Sequence, residues 1–395
     1  MDTSNLQPVR QIPGDEQKQP NPGIALCLSG GGYRAMVFHL GSLWRLNETG
    51  LLKKINRISS VSGGSITAGM LGLQWKKLNF DKQDVAVNLM DLVINPVLEL
   101  ASHTIDVYSV MEGIVNPFKS VADEVADAYR NHLFGHATLQ DLPADNEGPR
   151  FVINATNVQS KVLWRFSRPF MGDYRVGLIR NPTVQLAVAV GASSAFPPVL
   201  SPVQLKLHPQ DFDQTTAGDL QKPPFNTDVV LCDGGVYDNL GLETAWKEYQ
   251  TVLVSDGGGA TPDDPDPHKD WVQHAVRILA LIDNQVGSLR KRWLIGSFQS
   301  QQRAGAYWGI RTNIADYNLP NAMDCPFDKT MELASTPTRL KAMGTMLKQG
   351  LVNWGYAVCD AALRAHVDPK IPAPENFPYP SAAFTGGKTK AAGQP

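Results

Sequence analysis

The chain has 395 residues, 43% of them hydrophobic and 19% charged, a make-up that fits a globular protein and excludes a disordered or fibrous one. A formal net charge of −2 supplies no general attraction to nucleic acid or to an anionic membrane, so any contact with lipid has to be local. Four cysteines (Cys27, Cys232, Cys325 and Cys359) lack C-x-x-C spacing, which argues against a zinc site or a disulfide framework and fits a reducing cytosol.

Residues 1–22 are polar, rich in Gln, Pro and Asn, and lack the basic start and apolar middle of a secretory signal; a flexible arm is expected. Ile24 to Leu28 follows as a short buried strand. It runs into Ser29-Gly30-Gly31-Gly32-Tyr33-Arg34 and then an amphipathic helix over 35–48. Three consecutive glycines free the backbone for positive φ and bring N–H groups close to a ligand, with a helix dipole behind them. Such a cradle suits either a phosphate or the oxyanion of an acyl transfer. Neither a Walker loop nor a G-x-G-x-x-G fingerprint is present. A guanidinium at Arg34 beside the loop suits a phosphate or carboxylate.

A second strand, Ile55 to Val61, ends at Ser60-Val61-Ser62-Gly63-Gly64-Ser65 ahead of a helix over 65–74. Ser62 then sits at a tight strand-to-helix turn, which pushes a hydroxyl out of the fold and sets the following N–H groups at a helix N-terminus. The G-x-S-x-G elbow has glycines on both sides; here Gly64 is present and Ser60 replaces the first. Strand, helix, strand, helix implies a right-handed parallel unit with both motifs at the carboxyl ends of neighbouring strands.

Residues 80–136 turn helical, around Pro96 and over 121–133, and form an insertion that serves as a lid with an apolar underside or as added core. Segments 151–156 and 162–166 pattern as a hairpin, and 183–190 as a helix ended by Pro197 and Pro198. The apolar-leaning run 185–200 is too short to span a bilayer. Val229 to Cys232 forms the next buried strand, ending in Asp233-Gly234-Gly235, with Asp238 or Asn239 as a cap for a helix over 243–249. A second strand at 251–255 leads to Asp256-Gly257-Gly258-Gly259, and local pattern does not rank the two aspartates. A loop over 261–269, a long helix over 271–303 broken near Gly287 and Gly296, a strand over 307–313, a helical stretch over 338–364 and an extended tail from Val367 complete the reading.

Ser-Gly-Gly-Gly-Tyr-Arg at 29–34, Ser-Val-Ser-Gly-Gly-Ser at 60–65 and Asp-Gly-Gly at 233–235, in that order, resemble the patatin-like phospholipases. The first two motifs are also similar to those of cytosolic phospholipase A2 and fungal lysophospholipase catalytic domains. The resemblance runs from about Ile24 to Gly259. It implies an α/β fold, a patatin-like three-layer α/β/α with a central mostly parallel sheet and a helical insertion at 80–140 over the site. The catalytic domain is expected over 23–366, between an arm at 1–22 and a tail at 367–395.

The resemblance further implies a serine lipid acyl hydrolase that cleaves fatty-acyl esters of phospholipids or lysophospholipids through an acyl-enzyme. Ser62 is the implied nucleophile and Asp233 its partner in a Ser-Asp dyad, preferred to Asp256 because Val-Tyr-Asp-Asn-Leu-Gly follows it. Gly30, Gly31 and Gly32 supply the oxyanion hole, Arg34 holds the phosphate or oxyanion, and residues 192–197 support the site. No cofactor or metal is implied; the expected location is cytoplasmic, with peripheral membrane contact. Two alternatives are a phospholipase switched on by a small nucleotide, as some bacterial relatives are, and a non-catalytic module that binds a phosphate ligand on the glycine loop. Ser60 and Ala35 depart from family glycines, and adjusted geometry is expected there. His268 and His274 follow Asp233 in the order of a Ser-Asp-His triad, but neither lies at a strand end; His39 is expected to serve helix packing.

Overall fold

The apolar runs pair into a single ten-stranded sheet. The structure is a computed structural model and describes residues 19–105, 121–198, 200–261 and 263–384. In chain order the strands are β1 (Asn21–Leu28), β2 (Ile55–Val61), β3 (Arg150–Asn157), β4 (Val162–Phe166), β5 (Phe170–Asp173), β6 (Gly177–Arg180), β7 (Val203–Lys206), β8 (Asp228–Asp233), β9 (Tyr249–Asp256) and β10 (Ala304–Gly309). The half that carries the motifs, β10-β9-β1-β2-β3, is parallel throughout. From β3 the sheet continues antiparallel through the β3–β4 hairpin to β5 and β6, while β8 joins β3 and β7 joins β8.

The helices are α1 (Gly32–Glu48), α2 (Gly63–Gln74), α3 (Asn95–Leu100), α4 (Val121–Tyr129), α5 (Leu186–Ser193), α6 (Gly235–Asp238), α7 (Glu243–Trp246), α8 (Trp271–Gln299), α9 (Phe327–Ala334) and α10 (Thr345–His366). Alternation along β1 assigns them to layers. Leu26 and Leu28 point into the larger core with α1, α2 and α10, whereas Ala25 and Cys27 point into a smaller core with Leu242 and Ala245 beside α7 and Leu294 of α8. The chain is therefore a three-layer α/β/α fold with helices on both faces of the sheet.

Several boundaries differ from the sequence pattern. Helix α1 is buried at every position but Trp44 and Glu48, because α10 covers the side that an amphipathic helix leaves to water. Helix α8 runs unbroken through Gly287 and Gly296; both lie in open space, where glycine costs only its weak propensity, about 1 kcal/mol. Helix α5 spans Leu186–Ser193 and β10 spans Ala304–Gly309, each displaced from the expected 183–190 and 307–313 by packing that local propensity does not encode. Residues 367–384 fold back: Asn353 exchanges hydrogen bonds of 2.8 and 2.9 Å with the backbone of Tyr379, and Phe377 and Phe384 pack on the larger core. In the insertion, Val93, Val97, Leu100, Val125 and Tyr129 join that core, while 106–120 lies outside the described residues, as do 1–18 and 385–395.

One buried charge cluster holds α10 to α1. Asp360, fully buried, accepts from Arg45 at 2.9 and 2.7 Å and from Arg364 at 2.9 Å. Removing the carboxylate takes from two buried guanidinium groups the anion they share, leaving Arg45 to Glu48 and Pro372 and Arg364 to Asn321. Asp360→Ala is expected to lower the unfolding free energy by about 3–5 kcal/mol, read from urea midpoints; an unchanged midpoint would disprove the clamp.

Candidate functional site

Strand β3 changes partner halfway along one edge, and this builds the site. Val61, the last residue of β2, opposes Asn154; the next β3 residue, Ala155, opposes Asp233, the last residue of β8. Because β2 runs parallel to β3 and β8 antiparallel, the two strands point their carboxyl ends at each other. Ser62 and Asp233 meet there, the Ser62 hydroxyl within hydrogen-bonding reach of the Asp233 carboxyl.

Ser62 has φ 50° and ψ −122°, a conformation that disfavours any residue with a Cβ and stores about 1–3 kcal/mol of strain. Tertiary bonds hold it. The Ser62 N–H donates to Ser193 Oγ at 2.9 Å, and that hydroxyl donates to the Asn154 carbonyl at 2.7 Å. Ser65 Oγ lies 2.9 Å from Ser193 Oγ and 3.0 Å from Ser60 Oγ. Ser60 thus occupies the place of an elbow glycine with its hydroxyl buried and bonded, and the Asn154 amide donates to the Ser60 carbonyl at 2.9 Å. Close approach explains the glycine after the serine: a Cβ on Gly63 would lie 2.1 Å from the Gly32 carbonyl oxygen. The second departure, Ala35, packs its methyl against Gly257 of the loop after β9.

Burial pushes the Asp233 carboxyl up to about 7, against the Gly235 N–H (2.7 Å from Oδ1) and the Ser62 hydroxyl, with Asp283 of α8 pushing further upward. Its backbone is fixed on three sides: the N–H donates to the Ala195 carbonyl at 2.9 Å, the carbonyl accepts from Thr156 at 2.9 Å, and Gly234 donates to the Ser193 carbonyl at 3.3 Å. The Tyr129 phenol is buried nearby and held neutral, its pKa raised by burial and by the Asp233 charge.

Asp256, the rival aspartate, is occupied elsewhere. It pairs with Lys291 at 2.6 Å and accepts from the Tyr307 hydroxyl at 2.8 Å and the Gly258 N–H at 2.9 Å. Burial opposes ionisation, but these partners hold its carboxyl below the usual value. The histidines do not complete a triad. His39 is fully buried, its Nε2 2.9 Å from the Ser29 carbonyl and its Nδ1 2.8 Å from Ser255 Oγ, and burial pushes its pKa down to about 4. His268 and His274 are exposed at the start of α8, where His274 Nδ1 lies 3.3 Å from the His268 carbonyl.

Two expected roles are corrected. The Gly30 N–H donates to the Asn239 carbonyl at 3.0 Å, which removes it from the donors that face a ligand; those of Gly31 and Gly32 make no such bond among the described residues. Arg34 is committed to other partners. Its guanidinium donates to the Gly257 carbonyl at 3.1 Å, the Thr336 carbonyl and Thr338 Oγ1 at 2.9 Å, so it braces the glycine loop from behind. Asn239 and Ser193 are the residues that motif reading missed. Ser193 carried only a supporting expectation, and Asn239 stood only as a cap; the cap position of α7 is Leu242, and the Glu243 N–H donates to the Asp238 side chain at 2.7 Å.

A mainly parallel α/β sheet with a strained serine elbow and a buried carboxyl at facing strand ends defines the class. The chain belongs to the patatin-like phospholipase family, whose model, described as patatin-like phospholipase, matches residues 26–246. Among solved structures, human GIVD cytosolic phospholipase A2 is similar at 12% identity and TM-score 0.43, over 88% of this chain and 59% of that one. Its complex with methyl gamma-linolenyl fluorophosphonate matches at 15% identity and TM-score 0.48, over 92% and 61%. VipD from Legionella pneumophila matches at 18% identity and TM-score 0.29, over 79% and 66%. The chain thus spans about three fifths of the length of the human enzyme chains. No curated protein matches it. Among the described residues, no helix is long and apolar enough to cross a membrane.

A carboxyl at about 7 instead of 3.8 keeps its proton in the folded state between about pH 4 and 7, where the unfolded chain has released it. Stability is therefore lost as pH rises through that window. Relative to Asp233→Asn, the wild type should lose up to about 4 kcal/mol between pH 4 and 8 in urea unfolding; parallel pH curves would contradict the buried, unpaired carboxyl.

Proposed function

We propose that the protein is a serine lipid acyl hydrolase that cleaves fatty-acyl esters of phospholipids or lysophospholipids, with Ser62 as nucleophile and Asp233 as its base. The observation that carries this reading is a serine hydroxyl on a strained elbow, set against a buried carboxyl that titrates near 7 with no cation paired to it among the described residues. An ordinary aspartate is too weak a base for a hydroxyl; one raised to about 7 is matched to neutral pH. Membership of the patatin-like phospholipases supports the substrate class.

In the proposed cycle Ser62 Oγ attacks the acyl carbonyl carbon as its proton passes to Asp233. The N–H groups of Gly31 and Gly32, with the N-terminus of α2, take up the charge on the carbonyl oxygen. The tetrahedral intermediate collapses and the lysolipid or alcohol leaves with the proton from Asp233. Water, deprotonated by the same carboxylate, then attacks the acyl-enzyme; the bond to Ser62 Oγ breaks, Oγ takes the proton back from Asp233, and the fatty acid is freed. Arg34 acts only through the loop it braces. Ser193 is a positioning residue that holds the Ser62 backbone. The catalytic domain is taken to run from 23 to 366, with 367–384 packed on it. Ser62 is only 8% exposed, so an acyl chain gains entry when the surrounding chain opens.

Incubation with a fluorophosphonate ester should add one covalent phosphonyl group at Ser62, located by peptide mass spectrometry. Ser62→Ala should lose both the label and fatty-acid release from mixed lipid vesicles, by at least about a thousandfold. Wild-type protein that releases no fatty acid from any acyl ester overturns the assignment. The kcat/KM for a soluble ester should rise about tenfold per pH unit below about 7 and level off above it, as the Asp233 carboxylate becomes available. A profile flat from pH 5 to 8 would remove Asp233 from the role of base.

A further inference from the structure

Helix α8 is the longest helix among those described and the least covered. Its inner side is bound to the site's surroundings: Arg290 donates to the Tyr237 carbonyl at 3.2 Å and lies 3.6 Å from Asp238, Lys291 pairs with Asp256 at 2.6 Å, and Asn284 donates to Thr261 at 2.9 Å. Leu294 on that side is fully buried. Tyr237 and Asp238 follow Asp233 within one turn of chain, so the helix lies directly beside the proposed dyad.

Among the described residues the outer side is largely uncovered, Trp246 meeting only its far end, where its ring lies 4.0 Å from that of Trp293. Trp271, Ala275, Ile278, Ile282, Leu289 and Trp293 recur at steps of four, three, four, seven and four, which on a helix is one stripe about 33 Å long. All six are exposed, Trp271 at 83% and Leu289 at 59%. A soluble surface does not normally carry so long an apolar band without a partner.

We propose that this stripe docks α8 flat on a phospholipid surface and delivers lipid to the rim of the Ser62 site; the delivery step rests on the acyl hydrolase reading, the docking does not. Charge and composition select lipid over a second copy of the chain. Besides Arg290 and Lys291, which pair inward with Asp238, Glu243 and Asp256, the helix carries Arg277 and Arg292 against the single acid Asp283, in a chain whose net charge is −2, and these two cations complement lipid phosphates. Tryptophans stand at both ends of the stripe, and their amphipathic rings favour the headgroup level, whereas a self-paired helix seam favours aliphatic residues. The tethered inner side fixes the helix against the chain that follows Asp233, so the surface it docks on lies near the site.

The test uses the full chain and extruded vesicles of phosphatidylcholine with a minor share of phosphatidylglycerol. In cosedimentation, Ile278→Gln/Ile282→Gln/Leu289→Gln should weaken vesicle binding at least about a hundredfold, while the Leu versions of the two isoleucine positions retain it. Fatty-acid release from vesicles should fall with binding, and hydrolysis of a monomeric soluble ester should stay at the wild-type rate. Vesicle binding unchanged in the triple Gln variant overturns the proposal. So does a wild-type dimer, seen by light scattering, that the same substitutions split into monomers without changing vesicle binding. Wild-type protein that binds vesicles through α8 yet hydrolyses no ester sustains the docking and sinks the hydrolase reading instead.

Discussion

The site depends on a shared edge. Strand β3 is longer than the stretch of β2 beside it, and β8 takes up the remaining edge from the opposite direction, so two carboxyl ends that belong to distant parts of the chain are held one residue apart. Sheet hydrogen bonds set that spacing to the rise of a single residue, tighter than any loop could hold it. The serine elbow is then stabilised across the gap: Ser193, at the end of α5, accepts from the Ser62 N–H and donates to β3, and the same turn receives the backbone of Asp233 and Gly234. Strain at Ser62 persists because these bonds hold its backbone in place.

Electrostatics separates two stretches that look alike. Asp233 and Asp256 both end a strand, both precede glycines and both are buried. Lys291 and Tyr307 satisfy Asp256, which stays ionised and structural. Asp233 has a hydroxyl and one N–H for partners and a second acid, Asp283, in its field, so burial dominates and its proton is held to about 7. The same residue type in the same local text becomes a brace in one place and a candidate base in the other. Arg34 illustrates the converse: a cation beside a glycine loop invites an anion-binding role, yet its bonds run to carbonyls behind the loop.

The layers around the sheet have different duties. Helices α1 and α10, joined by the Arg45–Asp360–Arg364 cluster, form a rigid base from which the glycine loop emerges. On the other face α7 and α8 give only a small core, and α8 is attached by Leu294 and Phe298, by the Trp246–Trp293 contact and by ion pairs and hydrogen bonds. Its exposed apolar residues suit an element that works against lipid and would be wasteful in one that merely closed the fold.

How much was legible follows from the range of the forces involved. Strand-loop-helix order, the three motifs, the parallel half of the sheet and the buried cysteines of β1 and β8 are set by hydrophobic period and turn chemistry within a few residues, and the sequence alone determined them. Helix boundaries at α5 and α8, the burial of α1 on nearly all sides and the return of 367–384 depend on neighbours remote in sequence, which local pattern does not contain. Which glycine N–H stays open, where Arg34 points and which aspartate keeps its proton were decided only by tertiary structure, because each depends on a partner brought close by the fold: Asn239 for Gly30, Gly257 and Thr338 for Arg34, Lys291 for Asp256.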